Sequence, residues 1–255
     1  MHAMPFSLRA AVKEVQDISF LTARAFIGAF RRPYYIRDIL HQMDSIGVGS
    51  LPVVLTTGFF TGAVLALQSA KTLSTFGAGG QTGFAVGVSL VRELGPVIGS
   101  LMVAGRAGSG MASELGSMVV TEQINAMRAL GTDPIKKLVV PRVFATTLMM
   151  PVLTVVADAM GILGGLVLAV LSLHISGSQY LSSVWSGLEY ADVVGGLIKP
   201  FFFGAIIAIV GCHCGLRTYG GTQGVGHSTT QAVVNASVLI LVFDFLLSKI
   251  ILAFS

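Results

Sequence analysis

The residues best suited to chemistry are Arg92 and Glu93, an adjacent cation and anion inside a long apolar run, followed by the helix-breaking pair Gly95-Pro96. Ionised side chains at bilayer depth are costly, and they usually face a bundle interior or a water-filled cavity. Because Pro96 removes a backbone donor, we expect the helix to kink near Arg92 and to open space around the charged pair. The pattern predicts a transport pathway. A structural ion pair and a simple helix bend are the alternatives.

Further charged residues lie within other apolar runs of the chain. At a rise of about 1.5 Å per residue, Lys199 and Lys249 fall in the outer parts of their helices, whereas Asp158 and Asp244 fall near the bilayer midplane. We expect these side chains to converge with the Arg-Glu pair around a polar cavity open to the outside.

The composition indicates that the chain lies in a membrane. Of the 255 residues 53% are hydrophobic and 11% are charged, with a mean hydropathy of +0.81, whereas soluble domains have about 25% charged residues. A membrane-spanning helix needs about 20 mostly apolar residues. Five runs meet this length: 47–68, 84–112, 143–171, 193–212 and 232–253. The sequence predicts an all-α integral membrane protein, with residues 1–45 as an N-terminal cytoplasmic and interfacial segment and 46–255 as the transmembrane domain.

The pattern of apolar residues in the N-terminal segment predicts an amphipathic helix that lies in the membrane interface. Its apolar residues fall near one helical face: Leu8, Val12, Val15, Leu21, Ala25 and Phe26. Arg31-Arg32-Pro33 would end this helix beside the membrane. A soluble helix packed on a partner is the alternative.

Charge and glycine patterns predict orientation and packing. Lys and Arg concentrate in the N-terminal segment and in the connections 113–142 and 213–231, which places these segments and the N-terminus in the cytoplasm and the C-terminus outside. The patterns Gly58-x-x-x-Gly62 and Gly161-x-x-x-Gly165 favour close helix approach.

Three other signals resemble catalytic or ligand sites only weakly. Residues 221–228 approach a phosphate-loop pattern, but His227 replaces its lysine and no strand precedes it, so we interpret a flexible cytoplasmic connection. Cys212-His213-Cys214 with His227 lacks the usual spacing of zinc ligands. Ser109 with a histidine would be needed for a membrane-embedded hydrolase, although helix packing explains its small neighbours more simply.

The residues of the connection 114–134, between the second and third apolar runs, predict a short helix. Ile124, Met127 and Leu130 would form one apolar face, and Gly131 with Asp133-Pro134 would end the helix. Such a helix suits docking into a partner's groove. The alternative is a helix that packs on its own bundle.

Several short motifs are specific in combination: Val91-Arg-Glu-Leu-Gly-Pro-Val97, Ala104-Gly-Arg-Ala-Gly-Ser109, Glu114-Leu-Gly116, Thr121-Glu-Gln123, Asp133-Pro134 and Pro141-Arg142. With these motifs the chain resembles the MlaE (YrbE) permeases of ABC-type phospholipid transporters over about residues 35 to 253.

The resemblance implies a non-catalytic permease subunit in a bacterial inner membrane, with an interfacial helix, five spans and a cytoplasmic coupling helix between spans two and three. It implies a homodimer driven by two cytoplasmic ABC ATPase subunits, an outer-face substrate-binding partner of the MCE type and, in some members, a STAS-domain subunit. ATP and Mg²⁺ would be bound by the ATPase, and this chain would bind no cofactor, metal or nucleic acid.

The resemblance and the side-chain types together assign two sets of residues. The expected phospholipid pathway comprises Leu65, Gln68, Phe76, Arg92, Glu93, Lys199 and Asp244. The expected ATPase-coupling residues are Glu114, Glu122, Gln123, Met127, Arg128, Leu130 and Asp133. A rival interpretation is an ATP-independent secondary transporter or channel that uses the intramembrane charges as an ion or proton relay.

Overall fold

The computed structural model describes residues 8–29 and 35–254, and these are almost entirely helical. Within these two ranges, five helical stretches are long and apolar enough to cross a membrane, which confirms the five predicted spans. They are Ile36–Thr75, Gly79–Val120, Ile135–Leu171, Tyr190–Leu216 and Gly221–Ile251.

In the described part of the chain, ten α-helices form the N-terminal segment, the spans and their connections: α1 (Leu8–Ala29), α2 (Ile36–Thr75), α3 (Thr82–Ser89), α4 (Gly95–Val103), α5 (Ser109–Val120), α6 (Gln123–Ala129), α7 (Val140–Leu171), α8 (Gly177–Gly187), α9 (Tyr190–Leu216) and α10 (Gly221–Phe254). A 3₁₀ turn, Gly79–Gln81, precedes α3. Wider π-helical turns occupy Leu90–Leu94, Ala104–Gly108 and Ile135–Val139.

Span two departs from a regular helix where Gly95-Pro96 predicted a kink. The N–H of Gly95 donates to the carbonyl of Leu90, five residues earlier, so the turn Leu90–Leu94 is π-helical. Pro96 is the second residue of α4 and has no N–H to donate to the carbonyl of Arg92. A π turn inserts an extra residue and changes which side chains share a face. The local sequence therefore redirects the side chains around Arg92.

Close contact between α2 and α7 forms the centre of the bundle. A Cβ atom on Gly62 would overlap the backbone of Gly161, and one on Gly58 would overlap the carbonyl of Ala157. The two glycine patterns therefore allow the close helix approach that the sequence predicted, because glycine has no side chain to separate the two backbones.

α1 packs against the bundle beside the start of span three and the end of span four. Leu21 and Ala25 are buried in the core, whereas Val15 and Phe26 are exposed. The predicted single apolar face is therefore wrong in detail, because the helix presents one apolar side to the bundle and another outward. The side chains of Leu8 and Val12, and the segment Arg31-Arg32-Pro33, lie outside the described residues.

α8 was not predicted from the sequence. The hydroxyl of Ser176 accepts a hydrogen bond from the N–H of Gln179 at 3.3 Å and caps the start of the helix. Tyr180 and Val184 are buried in a small core shared with Val86 of α3. The helix therefore packs against α3, at the start of span two.

Candidate functional site

The central feature is a buried ion network that joins span two to α9 and α10. We call it the ionic cluster: Arg92, Glu93, Asp192, Lys199, Asp244 and Ser248.

Lys199 lies at the centre of the ionic cluster and is only 2% exposed. Its Nζ donates to Glu93 Oε2 at 2.7 Å and to Ser248 Oγ at 2.7 Å. Asp244 Oδ1 lies 3.2 Å from the same nitrogen, as an ion pair without a well-directed hydrogen bond. Ser248 Oγ in turn donates to Glu93 Oε1 at 2.9 Å. The ammonium is therefore surrounded by oxygen atoms, as a buried charge requires.

The π turn of span two supplies one of those oxygen atoms. Lys199 Nζ donates to the carbonyl of Arg92 at 2.9 Å. Pro96 cannot donate to this carbonyl, which would accept from residue 96 in a regular helix. The lysine of α9 thus satisfies an acceptor that the proline leaves open, and it ties α9 to the backbone of the π turn.

Arg92 and Asp192 form a second pair at the edge of the ionic cluster. Arg92 Nε lies 2.6 Å from Asp192 Oδ1, and half of the arginine side chain is exposed. Asp192 also accepts a hydrogen bond from the N–H of Glu189 and so helps to begin α9. A cavity of about 180 Å³ adjoins this pair and is also lined by Glu93, Lys199 and Ser248. Its volume admits several water molecules or a small polar group.

An apolar groove lies on the other side of the same turn. We call it the α2 groove; it has a volume of about 400 Å³ and is lined by Phe60, Thr61, Val64, Leu65, Gln68 and Leu94. Leu94 follows Glu93 directly in the chain, so the turn presents a carboxylate to one side and a leucine to the other. The groove offers apolar walls with one amide, as expected for a lipid tail and a polar contact.

The structure separates the predicted pathway residues into groups. Arg92, Glu93, Lys199 and Asp244 meet in the ionic cluster. Leu65 and Gln68 line the α2 groove. Phe76 caps the end of α2 and is 80% exposed, away from both.

Two predicted members do not join the ionic cluster, and two members were missed. Asp158 instead lies against Gly95, and its Oδ1 makes no hydrogen bond to a described residue. Lys249 is exposed on α10. The missed residues are Asp192, seven residues before Lys199, and Ser248, four residues after Asp244. Both spacings place them on the same helical face as a predicted charge, which is the signal that could have identified them.

The connection between spans two and three contains the predicted short helix, α6. Glu122, with a φ of 60°, and Gly131, with a φ of 78°, flank it in the left-handed region. Ile124 is buried and Met127 is half-buried, whereas Leu130 is 83% exposed. The predicted single apolar face is therefore divided, with Ile124 against the bundle and Leu130 projecting outward.

The remaining predicted coupling residues mostly hold this connection in shape. Arg128 donates to Asn125, and the same amide donates to Glu122. Gln123 donates to Thr121 at 3.0 Å. Asp133 accepts from the N–H of Ile135 at 3.0 Å. Glu114 pairs at 2.8 Å with Arg142, whose side chain is 3% exposed, so Glu114 links α5 to α7.

The residues that weakly resembled catalytic or ligand sites have structural roles in the described part of the chain. α10 begins at Gly221, so the predicted flexible connection at 221–228 is wrong: this segment is helical. The Ser109 hydroxyl donates to carbonyls of its own helix, at Gly105 and Arg106. Among the described residues, no group of three His, Cys, Asp or Glu side chains is arranged to hold a metal ion.

Comparison with known proteins gives a consistent result. Residues 39–250 match the model of a family described as Permease MlaE. The chain is 43% identical to a probable ABC transporter permease protein of Rickettsia typhi, over 94% of each chain. It is 36% identical to the chloroplastic protein TRIGALACTOSYLDIACYLGLYCEROL 1 of Arabidopsis thaliana, over 96% of this chain and 71% of that one. It is 34% identical to the intermembrane phospholipid transport system permease protein MlaE of Haemophilus influenzae, over 91% of this chain and 89% of that one.

Proposed function

The chain belongs to the MlaE permease family, and on that premise we propose that it is the membrane-spanning subunit of an ATP-driven phospholipid transporter. The observation that carries the proposal is the position of one irregular turn, Leu90–Leu94, between an apolar groove and a polar cavity. A phospholipid needs both kinds of surface, one for its acyl chains and one for its headgroup.

In this proposal the α2 groove receives acyl chains and Arg92 receives the phosphate. A guanidinium binds phosphate through strong, charge-assisted hydrogen bonds. Arg92 is half-exposed and lines the polar cavity, so its guanidinium can donate to a phosphate while it keeps the buried Asp192 as its partner. The α2 groove is open on one side, and a second copy of the chain would close it to form a shared chamber.

In the same proposal, the connection that contains α6 is the contact with the partner that supplies the energy. The positive-inside rule places this connection in the cytoplasm, together with the N-terminus, and the C-terminus on the periplasmic side. α6 and the exposed Leu130 would dock on a cytoplasmic ABC ATPase dimer that binds ATP and Mg²⁺. An MCE-type protein would exchange lipid at the opposite face, and a STAS-domain subunit would accompany the ATPase in some assemblies. The permease subunit itself would have no catalytic activity.

Co-purification and reconstitution test the proposal. We expect the chain to carry an ATPase through purification, and reconstituted complex to transfer fluorescent phospholipid to a soluble acceptor only when ATP is added. Leu130→Glu should break the ATPase contact. Leu171→Glu, a matched change of an exposed leucine at the opposite end of α7, should leave that contact intact.

Two results would contradict the proposal. Lipid transfer by the chain without any ATPase would favour the ATP-independent transporter or channel. Full ATPase retention by the Leu130→Glu variant would refute the docking role of α6.

A further inference from the structure

A second polar cavity lies at the opposite end of α9 from Lys199. It has a volume of about 270 Å³ and lies between α1, the end of α9 and the first turns of α10. Its lining residues on α9, His213 to Arg217, are 14 to 18 residues from Lys199. At about 1.5 Å per residue this places it on the order of 20 Å from the ionic cluster. The proposed transport pathway does not use it.

Polar faces of three helices converge on this cavity. On α10, His227, Ser228 and Gln231 line it at spacings of one, three and four residues, which place them on one helical face. His213 of α9 and Arg217, the residue that caps the end of α9, also line it. The phosphate-loop-like stretch that begins α10 thus supplies one wall of the cavity.

Two of these side chains can offer hydrogen-bond donors to the cavity. His213 lines it although the residue is only 5% exposed. Arg217 Nη1 pairs with Asp17 Oδ2 of α1 at 3.1 Å. A guanidinium has five N–H donors, and half of the Arg217 side chain is exposed, so donors remain for a second partner. Both residues line the cavity, so their side chains can meet a ligand there.

The charges of the lining indicate the class of ligand. Arg217 offers a cation, the histidines and Ser228 offer further hydrogen-bonding groups, and Glu14 of α1 offers a carboxylate. A carboxylate disfavours a purely anionic ligand such as inorganic phosphate, but it suits an ammonium group. α1 exposes Phe20 on its outer side, as a helix lying at headgroup depth would.

We propose that this cavity binds the headgroup of a zwitterionic phospholipid of the surrounding leaflet, with its phosphate at Arg217 and His213 and its ammonium at Glu14. The inference rests on the proposed placement of the chain in a bilayer and goes beyond its transport function. The bound lipid would join α1 to the bundle without entering the α2 groove.

The test maps lipid crosslinks on the purified complex. The probe is a phosphatidylethanolamine that carries a diazirine at the top of one acyl chain, and proteolysis separates labelling of residues 213–231 from labelling of α2. Arg217→Gln should lower labelling of 213–231 about tenfold relative to α2, because it removes a charge-assisted phosphate contact. Asp17→Asn is the matched control: it breaks the same ion pair but keeps the guanidinium, so its labelling should persist. His227→Ala, outside that pair, should lower labelling severalfold and provides a second variant if Arg217→Gln fails to fold.

Competition decides the class of ligand. Unlabelled phosphatidylethanolamine should protect 213–231 at least fivefold better than phosphatidylglycerol, and Glu14→Gln should remove this preference. Equal protection by phosphatidylglycerol, protection by millimolar inorganic phosphate, or equal loss in the Asp17→Asn and Arg217→Gln variants would overturn the proposal. These readouts need no ATP-driven transfer, so a failure here is distinct from a failure of the proposed transport function.

Discussion

Replacing Lys199 with methionine is the most direct test of the ionic cluster. Methionine keeps an unbranched apolar side chain, one heavy atom shorter than that of lysine, and removes the ammonium. The variant loses three hydrogen bonds, to Glu93, Ser248 and the Arg92 carbonyl, together with the ion pair to Asp244. Two carboxylates then share a site without a cation, and both face like-charge repulsion.

The expected cost follows from burial. Removing one partner of a buried ion pair costs about 3–5 kcal/mol. The Lys199 side chain is almost fully buried, but the Glu93 side chain is nearly half-exposed and can be rehydrated from the adjoining cavity. We therefore expect the low end, about 3 kcal/mol. For a protein of this size each kcal/mol shifts the melting temperature by about 2–4 °C, so the loss should be roughly 10 °C.

The assay is retention of monodisperse complex after heating, followed by size-exclusion chromatography. Lys249→Met is the matched control, because this lysine is exposed on α10, and it should not shift the transition. Combining Lys199→Met with Glu93→Gln and Asp244→Asn removes the orphaned charges and should recover at least half of the loss. The reasoning is refuted if Lys199→Met is as stable as the parent, or if the triple variant is no more stable than the single one.

Three further predictions concern other contacts. Gly62→Ala should cost about 1–3 kcal/mol of stability through overpacking, whereas Gly105→Ala, where a Cβ meets no atom, should not change the melting temperature. Arg92→Ala combined with Asp192→Asn removes both charges of the pair, so that no buried carboxylate is left unpaired, and should cost under about 1 kcal/mol; it should still lower ATP-driven lipid transfer at least tenfold, and normal transfer would remove Arg92 from the pathway. Glu114→Ala should destabilise the protein more than Arg142→Met in the same heating assay. The first variant leaves the buried guanidinium of Arg142 without its ion pair, whereas the second leaves only the exposed carboxylate of Glu114, which water can solvate. The opposite order of stabilities would contradict this reasoning.

The sequence predicted the features that depend on hydropathy and local breakers. Long apolar runs identified all five spans, and Gly131 marked the end of α6. α8 was missed because its 11 residues are largely polar and too few to span a bilayer. Its N-terminal Ser176 was the one local signal for a helix start.

The composition of the ionic cluster was harder to predict, because depth along a helix does not give direction around it. Asp158 was placed at a suitable depth, but α7 turns it towards Gly95 rather than towards Lys199. The π turn adds to the difficulty, because an extra residue rotates the following side chains by about 100°. For this reason the sequence could not separate Glu93, which faces the ionic cluster, from Leu94, which faces the α2 groove.

The packing provides a continuous physical route between α6 and the α2 groove. α6 follows α5, and α5 packs closely on α9, where a Cβ on Gly211 or Gly215 would meet the backbone of the facing helix. Such close contact leaves little room for independent sliding, so α9 should move with α5. Further along α9, Lys199 holds the carbonyl of Arg92. A displacement of α9 is thereby transmitted to the backbone of the π turn, and Leu94 of that turn lines the groove. The lysine that neutralises the buried carboxylates is thus also the link through which a movement at α6 can change the shape of the α2 groove.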